Sequence, residues 1–375
     1  MKTLKDIGNV EGKIALVRVD FNVPVEEGVV KDDFRIKSAL PTIEFLKKAG
    51  AKICLIAHSE ANVEGQKTSL KPAFGVLKTC VDCVFANNLE EAKKLLETSA
   101  IVLLENLREN HGEKENNEEF AKELASIADF YVNEAFSVCH RPHASIVGVP
   151  KFLPSYAGFQ LEKEINELSK AFKPEHPFVF ILGGAKFETK LPLINKFMEK
   201  ADMLCVGGAL ANDLLKAQGK NIGKSRVSKT DVDLNTIISS KKLMPIIDVV
   251  VENEIGVETK KIDNVSDGDN IMDAGVETIK AWEEKIRIGA FVLWNGPLGN
   301  FEAGFDKGTL ALASAIASSD AESIVGGGDT LSAIKKLNLE SAFSFISTGG
   351  GATLDFLANE TLPGIEALKN ETRNI

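Results

Sequence analysis

A chain of 375 residues is too long for one ordinary hydrophobic core and reads as two domains. With 44% hydrophobic and 26% charged residues it is globular, and its net charge of -10 argues against a generic nucleic-acid or anionic-membrane surface. No basic leader with an apolar segment opens the chain and no 18-residue apolar run occurs, so a soluble protein of the cytoplasm is expected, with no membrane and no nucleic-acid partner. Five cysteines, an odd number, favour reduced thiols. Cys80 and Cys83 form a C-x-x-C pair without a second pair at zinc spacing and read as ordinary packed or surface residues.

In chain order, apolar β-branched runs predict strands at Lys13–Val19, Ala51–Ala57, Ala100–Leu104 and Phe130–Val132. Further runs follow at Phe178–Leu182, Met203–Val206, Met244–Val251, Ala290–Trp294, Ser323–Val325 and Phe343–Ile346. Amphipathic stretches such as Phe34–Ala49, Glu118–Ile127, Leu191–Lys200 and Lys307–Ala317 lie between them. Alternation of this kind predicts an α/β fold with parallel sheets covered by helices on both faces. A charged helix over Gly158–Ala171, stopped by "KPEHP" (Lys173–Pro177), reads as a bridge between two lobes.

Seven arginines are present, four of them in the first 150 residues: Arg18, Arg35, Arg108 and Arg141. Arg35 opens the helix after "RVDFNVP" (Arg18–Pro24), Arg108 follows "IVLLENL" (Ile101–Leu107), and Arg141 follows "FYVNEAFSVCH" (Phe130–His140). Loops beyond strand C-termini converge on the ligand crevice of an open α/β sheet, and guanidinium forks there suit carboxylate and phosphate. Each arginine alone reads equally well as a cap or local ion pair; three at equivalent places favour an anion. His58 also follows a predicted strand, and His140 and His143 flank Arg141. Without a further ligand cluster these histidines read as hydrogen-bonding or packing residues, not zinc ligands.

The C-terminal half carries glycines instead. "LGGAKFETK" (Leu182–Lys190), "VGGAL" (Val206–Leu210), "WNGPLGNFE" (Trp294–Glu302), "VGGGDT" (Val325–Thr330) and "STGGGAT" (Ser347–Thr353) each follow a strand and open a helix. Glycine lets backbone N–H groups approach phosphate closely at a helix N-terminus. Five such turns, with Lys186 and Lys190 in the first, point to nucleotide phosphates. Asp329 could ligate Mg²⁺, cap the following helix, or do both. "GKNIGKS" (Gly219–Ser225) is one residue short of a Walker A loop and reads as a surface turn.

These segments, taken together with "LLENLR", "GGALANDLLKAQG" and "ISTGGGATLDFLANETLPGIEAL", resemble the phosphoglycerate kinase family along nearly the whole chain. The resemblance implies two Rossmann-like lobes joined by an interdomain helix. Residues 1–157, with 359–375 returning, would form a phosphoglycerate-binding domain; 158–172 the helix; 173–358 a nucleotide-binding domain. It implies reversible, direct phosphoryl transfer between ATP and 3-phosphoglycerate, yielding 1,3-bisphosphoglycerate and ADP, with Mg²⁺ as cofactor and hinge-bending closure of a monomer. Asp20, Asn22, Arg35, His58, Arg108 and Arg141 would bind the phosphoglycerate. Lys190, Gly207, Gly208, Gly275, Asn295, Pro297, Glu302, Gly327, Gly328, Asp329 and Thr330 would bind the nucleotide, with Asp329 on the metal. Arg35, Lys186, Lys190, Gly350 and Gly351 would act on the group in flight, the last two, with Gly349, as a helix N-terminus.

Four departures stand out. The usual "SHLGRP" is "AHSEAN" (Ala57–Asn62), where Ala61 replaces a basic residue and Glu60 adds negative charge, which should weaken or re-steer binding of an acidic substrate. The usual "NDAFG" is "NEAFS" (Asn133–Ser137), the "DIGPKT"-like turn is "DAGVET" (Asp273–Thr278), and Ala209 stands where a third glycine is common. Two rivals remain at this level: another small-molecule kinase, and a silent nucleotide-binding descendant.

Overall fold

The computed structural model describes residues 1–60, 68–185, 187–228 and 233–369. The chain divides into two compact units: Met1–Asn166 together with the chain from Asn359 onward, and Glu167–Ala358.

The first unit holds strands β1 (Ile14–Arg18), β2 (Val25–Glu26), β3 (Val29–Val30), β4 (Lys52–Ile56), β5 (Val84–Ala86), β6 (Ile101–Leu104), β7 (Phe130–Asn133) and β8 (Ser155–Ala157). β2 and β3 form a small hairpin; the other six make one sheet in the order β5-β6-β4-β1-β7-β8, parallel throughout. Its helices are α1 (Phe34–Ser38), α2 (Leu40–Lys48), α3 (Lys71–Cys80), α4 (Leu89–Thr98), α5 (His111–Lys114) and α6 (Glu118–Ala125). α7 (Phe159–Ser169) runs across the division between the units. The predicted Phe34–Ala49 helix is two helices, because Pro41 has no N–H to continue the first and instead sits in the opening turn of the second.

In the second unit, β9 (Phe178–Leu182), β10 (Met203–Val206), β14 (Phe291–Asn295), β15 (Glu322–Gly326) and β16 (Phe345–Ser347) form a parallel sheet in the order β10-β9-β14-β15-β16. Three further strands, β11 (Asp248–Asn253), β12 (Gly256–Lys261) and β13 (Asn270–Ala274), form an antiparallel sheet of their own, a departure from the all-parallel expectation. The Met244–Val251 strand starts only at Asp248; Pro245, which cannot donate to a ladder, precedes it. α8 (Phe187–Lys200), α9 (Ala209–Ala217), α10 (Asn235–Ile238), α11 (Val276–Ile286), α12 (Lys307–Ala317), α13 (Gly328–Lys336) and α14 (Gly351–Asn359) complete this unit, and α15 (Pro363–Ala367) follows in the first.

The sequence explains why these sheets are buried on both faces. β9 reads Phe-Val-Phe-Ile-Leu and every residue of it is buried. Val179 and Ile181 pack on one face with Trp282, Trp294 and Leu312. Phe178 and Phe180 join Phe197 and Phe291 in an aromatic cluster with ring centroids 5.1–6.4 Å apart. β12, by contrast, is a charged and mostly exposed edge, a pattern that blocks pairing with another chain.

Glu134, just past β7, fixes the start of α7. Its carboxyl oxygens accept the Gln160 backbone N–H at 3.1 and 3.2 Å, and Thr42 Oγ1 accepts that of Phe159 at 3.0 Å. A side chain at Gly158 would bring a carbon within 1.8 Å of Glu134 Oε2, so only glycine fits. Burial pushes the Glu134 carboxyl up from 4.5 to about 8 against the opposing hydrogen bonds. The folded state therefore holds this proton more tightly than the unfolded chain, and stability falls as pH rises from 4.5 through about 8. Glu134→Gln should remove that slope, roughly 1.4 kcal/mol per pH unit at its steepest, from urea melts run between pH 5 and 8.5. An identical slope in variant and wild type would refute the assignment.

Candidate functional site

Parallel pairing puts the C-terminal ends of β1, β4, β6 and β7 at one edge of the first sheet, and the predicted anion-binding residues leave from that edge. Asp20, after β1, anchors one part of the cluster. Its Oδ2 meets Arg35 Nη1 at 3.0 Å and accepts the Ser137 hydroxyl at 2.6 Å, while Oδ1 accepts the Asn22 N–H at 3.1 Å. Arg35 also donates to the Asn22 carbonyl at 3.0 Å. Asn22 Oδ1 in turn accepts the backbone N–H of Glu60 at 2.9 Å, which joins this group to the loop after β4.

Glu60 is the centre of the second group. Its Oε1 lies 2.9 Å from Arg108 Nη1 and 2.7 Å from Arg141 Nη1. Burial alone would raise the Glu60 carboxyl, but hydrogen bonding and charge from Arg141, with Arg108, hold it below the usual range. Arg108 is the most enclosed of the three, its side chain 10% exposed. Its Nε and Nη2 are buried and have no hydrogen-bond partner among the described residues. Such buried donors are costly unless something polar meets them.

Beneath this surface, Arg18 is fully buried and donates to the Val19 carbonyl, to Ser145 Oγ at 3.0 Å, and to His58 Nδ1 at 3.0 Å. Ser145 Oγ donates onward to the buried Glu113 carboxylate at 2.6 Å. His58 therefore presents a neutral ring, since burial and the charges of Arg18, Arg108 and Arg141 lower its pKa well below the ordinary value. Burial and the same arginines bring His143 down to about 4. The structure thus gathers all six sequence-predicted residues, Asp20, Asn22, Arg35, His58, Arg108 and Arg141, at one sheet edge. Sequence reasoning missed Arg18, Glu113, Ser137 and Ser145 as members. Arg18 alone carried a signal, as a charged residue ending an apolar strand.

In the second unit the glycine turns leave the C-terminal edge of the parallel sheet. The backbone approaches very closely where β9 ends: a side chain at Gly183 would stand 2.1 Å from the Pro297 carbonyl oxygen. Gly208 adopts φ 64° as it starts α9 and donates to the Leu298 carbonyl at 2.9 Å. Lys190, on α8, is 8% exposed, donates to the Gly183 carbonyl, and reaches Asn295 Oδ1 at 3.1 Å. Burial lowers its ammonium to about 8, with Asp329 pulling the other way. Lys186 lies outside the described residues.

A cavity of about 450 Å³ opens beside these turns. Gly208, Pro297, Glu302 and Asp329 line it, together with Asp273 of the Asp273–Thr278 turn and Arg226, the last of which sequence reasoning did not place there. Asn295 and Thr330 are buried, Thr330 Oγ1 accepting the Gly296 N–H at 3.1 Å; Gly207 packs on Leu298. Gly275 is outside the cavity lining; its Cα faces the Asp248 carboxylate at the start of α11. Gly327 and Gly328 open α13, so Asp329 is not the helix cap: Gly327 holds that place and Asp329 sits in the first turn, where its charge suits the dipole. Gly350 and Gly351 expose the N-terminal end of α14.

Among the described residues no three His, Cys, Asp or Glu side chains gather into a group that could hold a metal ion. Asp329 suits Mg²⁺ differently. It lines the cavity, and its charge acts on the buried Lys190 ammonium. One carboxylate, completed by water and phosphate oxygens, is what this hard cation ordinarily accepts. Gly219–Ser225 is a turn against β13, with Gly223 bridging Asn270 and Ser225 Oγ accepting the Ile271 N–H at 2.7 Å.

Residues 4–360 match the model of the family described as phosphoglycerate kinase. The chain is 42% identical to the phosphoglycerate kinase of Finegoldia magna over 98% of both chains, and 41% identical to that of Pseudothermotoga lettingae over 99% of both. Among solved structures, phosphoglycerate kinase from Coxiella burnetii superposes with a TM-score of 0.85 at 37% identity, covering 96% of this chain and 97% of its own. That from Pyrococcus horikoshii gives 0.85 at 30% identity over 98% of both. With an arginine-rich sheet edge, a glycine-lined cavity and these likenesses spanning nearly every residue, the chain belongs to the phosphoglycerate kinase family.

Proposed function

We propose that this chain transfers a phosphoryl group reversibly between ATP and 3-phosphoglycerate, with the acid held by the first unit and the nucleotide by the second. The observation that carries the reading is the convergence of Arg108 and Arg141 on a single carboxylate oxygen, with two Arg108 nitrogens still unmatched. A site that grips one carboxylate this way suits a small acid bearing several anionic oxygens.

A carboxylate oxygen of the acid forms a bond to the γ-phosphorus as the bond from that phosphorus to the ADP oxygen breaks. No proton moves, because the carboxylate is already ionised near pH 7. The chain therefore needs no nucleophile or general base and works by placement and charge. Arg35, held by Asp20 and the Asn22 carbonyl, is oriented to meet developing negative charge. Lys190, fixed by the Gly183 carbonyl and Asn295, and the amides of Gly350 and Gly351 supply positive potential on the nucleotide side, with Lys186 assigned the same task from its motif. Gly207, Gly208, Pro297 and Glu302 take the nucleoside portion, while Asn295, Gly327, Gly328 and Thr330 support its phosphate end. Asp329 would hold a Mg²⁺ ion bound with the nucleotide, and that cation would supply positive charge at the phosphates.

Because donor and acceptor are carried by different units, transfer requires the units to close on each other. We further assign the enzyme to the cytoplasm, as a monomer. Its five cysteines are all free, and no described helix is long and apolar enough to cross a membrane.

A coupled assay should detect 3-phosphoglycerate-dependent consumption of ATP in the presence of Mg²⁺; its absence with intact nucleotide binding would overturn the reading. Arg35→Ala should lower kcat by on the order of 10²–10³ while shifting the melting temperature little, and near wild-type turnover would remove Arg35 from its role. Small-angle scattering should give a smaller radius of gyration with both ligands present than with neither, and an unchanged value would argue against closure.

A further inference from the structure

We propose that Glu60 is a built-in competitor of the acidic substrate: its carboxylate occupies the anion position between Arg108 and Arg141, and the substrate must displace it to bind. The proposal rests on the reading above that these arginines hold 3-phosphoglycerate, and concerns what already stands there.

Three observations support it. Both guanidinium groups are spent on one oxygen, Oε1, at 2.9 and 2.7 Å, the geometry of a ligand shared between two cations and not of two separate surface pairs. The loop bearing Glu60 is also positioned from below. Buried Asn106 accepts the Ser59 N–H and donates to the Ser59 carbonyl, each at 3.0 Å, and Asn22 Oδ1 takes the N–H of Glu60 itself. Finally, the carboxylate fills the place incompletely. Arg108 Nε and Nη2 stay buried without a partner among the described residues, so a ligand with more oxygens satisfies donors that Glu60 cannot.

The physical consequence is an exchange of anions. Removing Glu60 from the two arginines must be offset before the substrate gains their charge, so intrinsic affinity is reduced by the strength of the internal contact. The Glu60 side chain is 40% exposed, which keeps that contact weak enough to be displaced and able to swing toward solvent. When it swings away, the Asn22 side chain, tied to the Glu60 backbone, can stay in place.

The test is calorimetric titration of 3-phosphoglycerate into the full chain, with KM for 3-phosphoglycerate and for ATP measured in parallel. Glu60→Gln keeps the shape and removes the charge, and should tighten 3-phosphoglycerate binding ~10-fold while leaving KM for ATP within about twofold. Glu60→Asp, which keeps the charge on a shorter arm, should fall between the two. Glu60→Ala serves if the glutamine variant melts well below wild type. Glu109→Gln, a neighbouring exposed charge, serves as the field control and should change little. If wild type binds and turns over 3-phosphoglycerate but Glu60→Gln and Glu60→Ala bind no tighter, the competitor role is wrong and the enzymatic reading stands. An equal gain from Glu109→Gln reduces the effect to general electrostatics and also overturns the proposal. If none of the forms binds 3-phosphoglycerate while ATP binds normally, the enzymatic reading fails and takes this proposal with it.

Discussion

The arrangement of the first unit depends on one buried guanidinium. Arg18 ends β1 with no exposed surface, and a charge so placed must be fully hydrogen-bonded or the strand cannot stay where it is. The Val19 carbonyl, Ser145 and His58 meet it, and Ser145 passes the contact on to buried Glu113. Those groups come from the residue just past β1, from the loop after β4, from the segment beyond His143 and, through Ser145, from α5. A single charge therefore ties together the loops that carry His58, Arg108 and Arg141. Burial, together with this charge, also lowers the His58 pKa well below the ordinary value, so the imidazole adds a hydrogen-bonding group and no further cation.

The second unit solves a related problem with different materials. Where the first unit spends arginine side chains, this one bares its own backbone. Gly183 lets the turn after β9 lie against the Pro297 carbonyl, and Gly208 turns the chain into α9 with a left-handed φ. Lys190 is the buried cation here, and it is satisfied by carbonyl and amide oxygens instead of a carboxylate. Its lowered pKa is the mark of that dry setting. Among the described residues, the Lys190 ammonium is thus hydrogen-bonded to neutral oxygens and to no carboxylate.

Most of this could be read from residues in order. An uninterrupted apolar run such as Phe178–Leu182 has one stable home, a parallel strand covered on both faces, and the glycine turns mark where such strands end. Other parts left no such mark. β5 and β8 are three residues long, too short for a period to emerge. β12 is polar on nearly every residue and earns its place only by pairing with β11. At the site, the added negative charge of Glu60 was visible as a departure, but its reach to two arginines was not. That contact is made by side chains distant in the chain, and only the converging loops of the sheet edge bring them together. Arg226 at the cavity was hidden for the same reason, since it arrives from the turn beside the antiparallel sheet.

The thiols have a practical consequence. Cys54, Cys139 and Cys205 are enclosed in the two sheets and their surroundings, and burial pushes each far above the range in which a thiolate forms readily; Cys83 is also buried and raised to about 11. Cys80, at the last turn of α3, is the exception and lies open to solvent. The native chain thus offers one solvent-exposed sulfur to a maleimide dye, on the first unit, and a fluorophore could be attached there without altering a single codon.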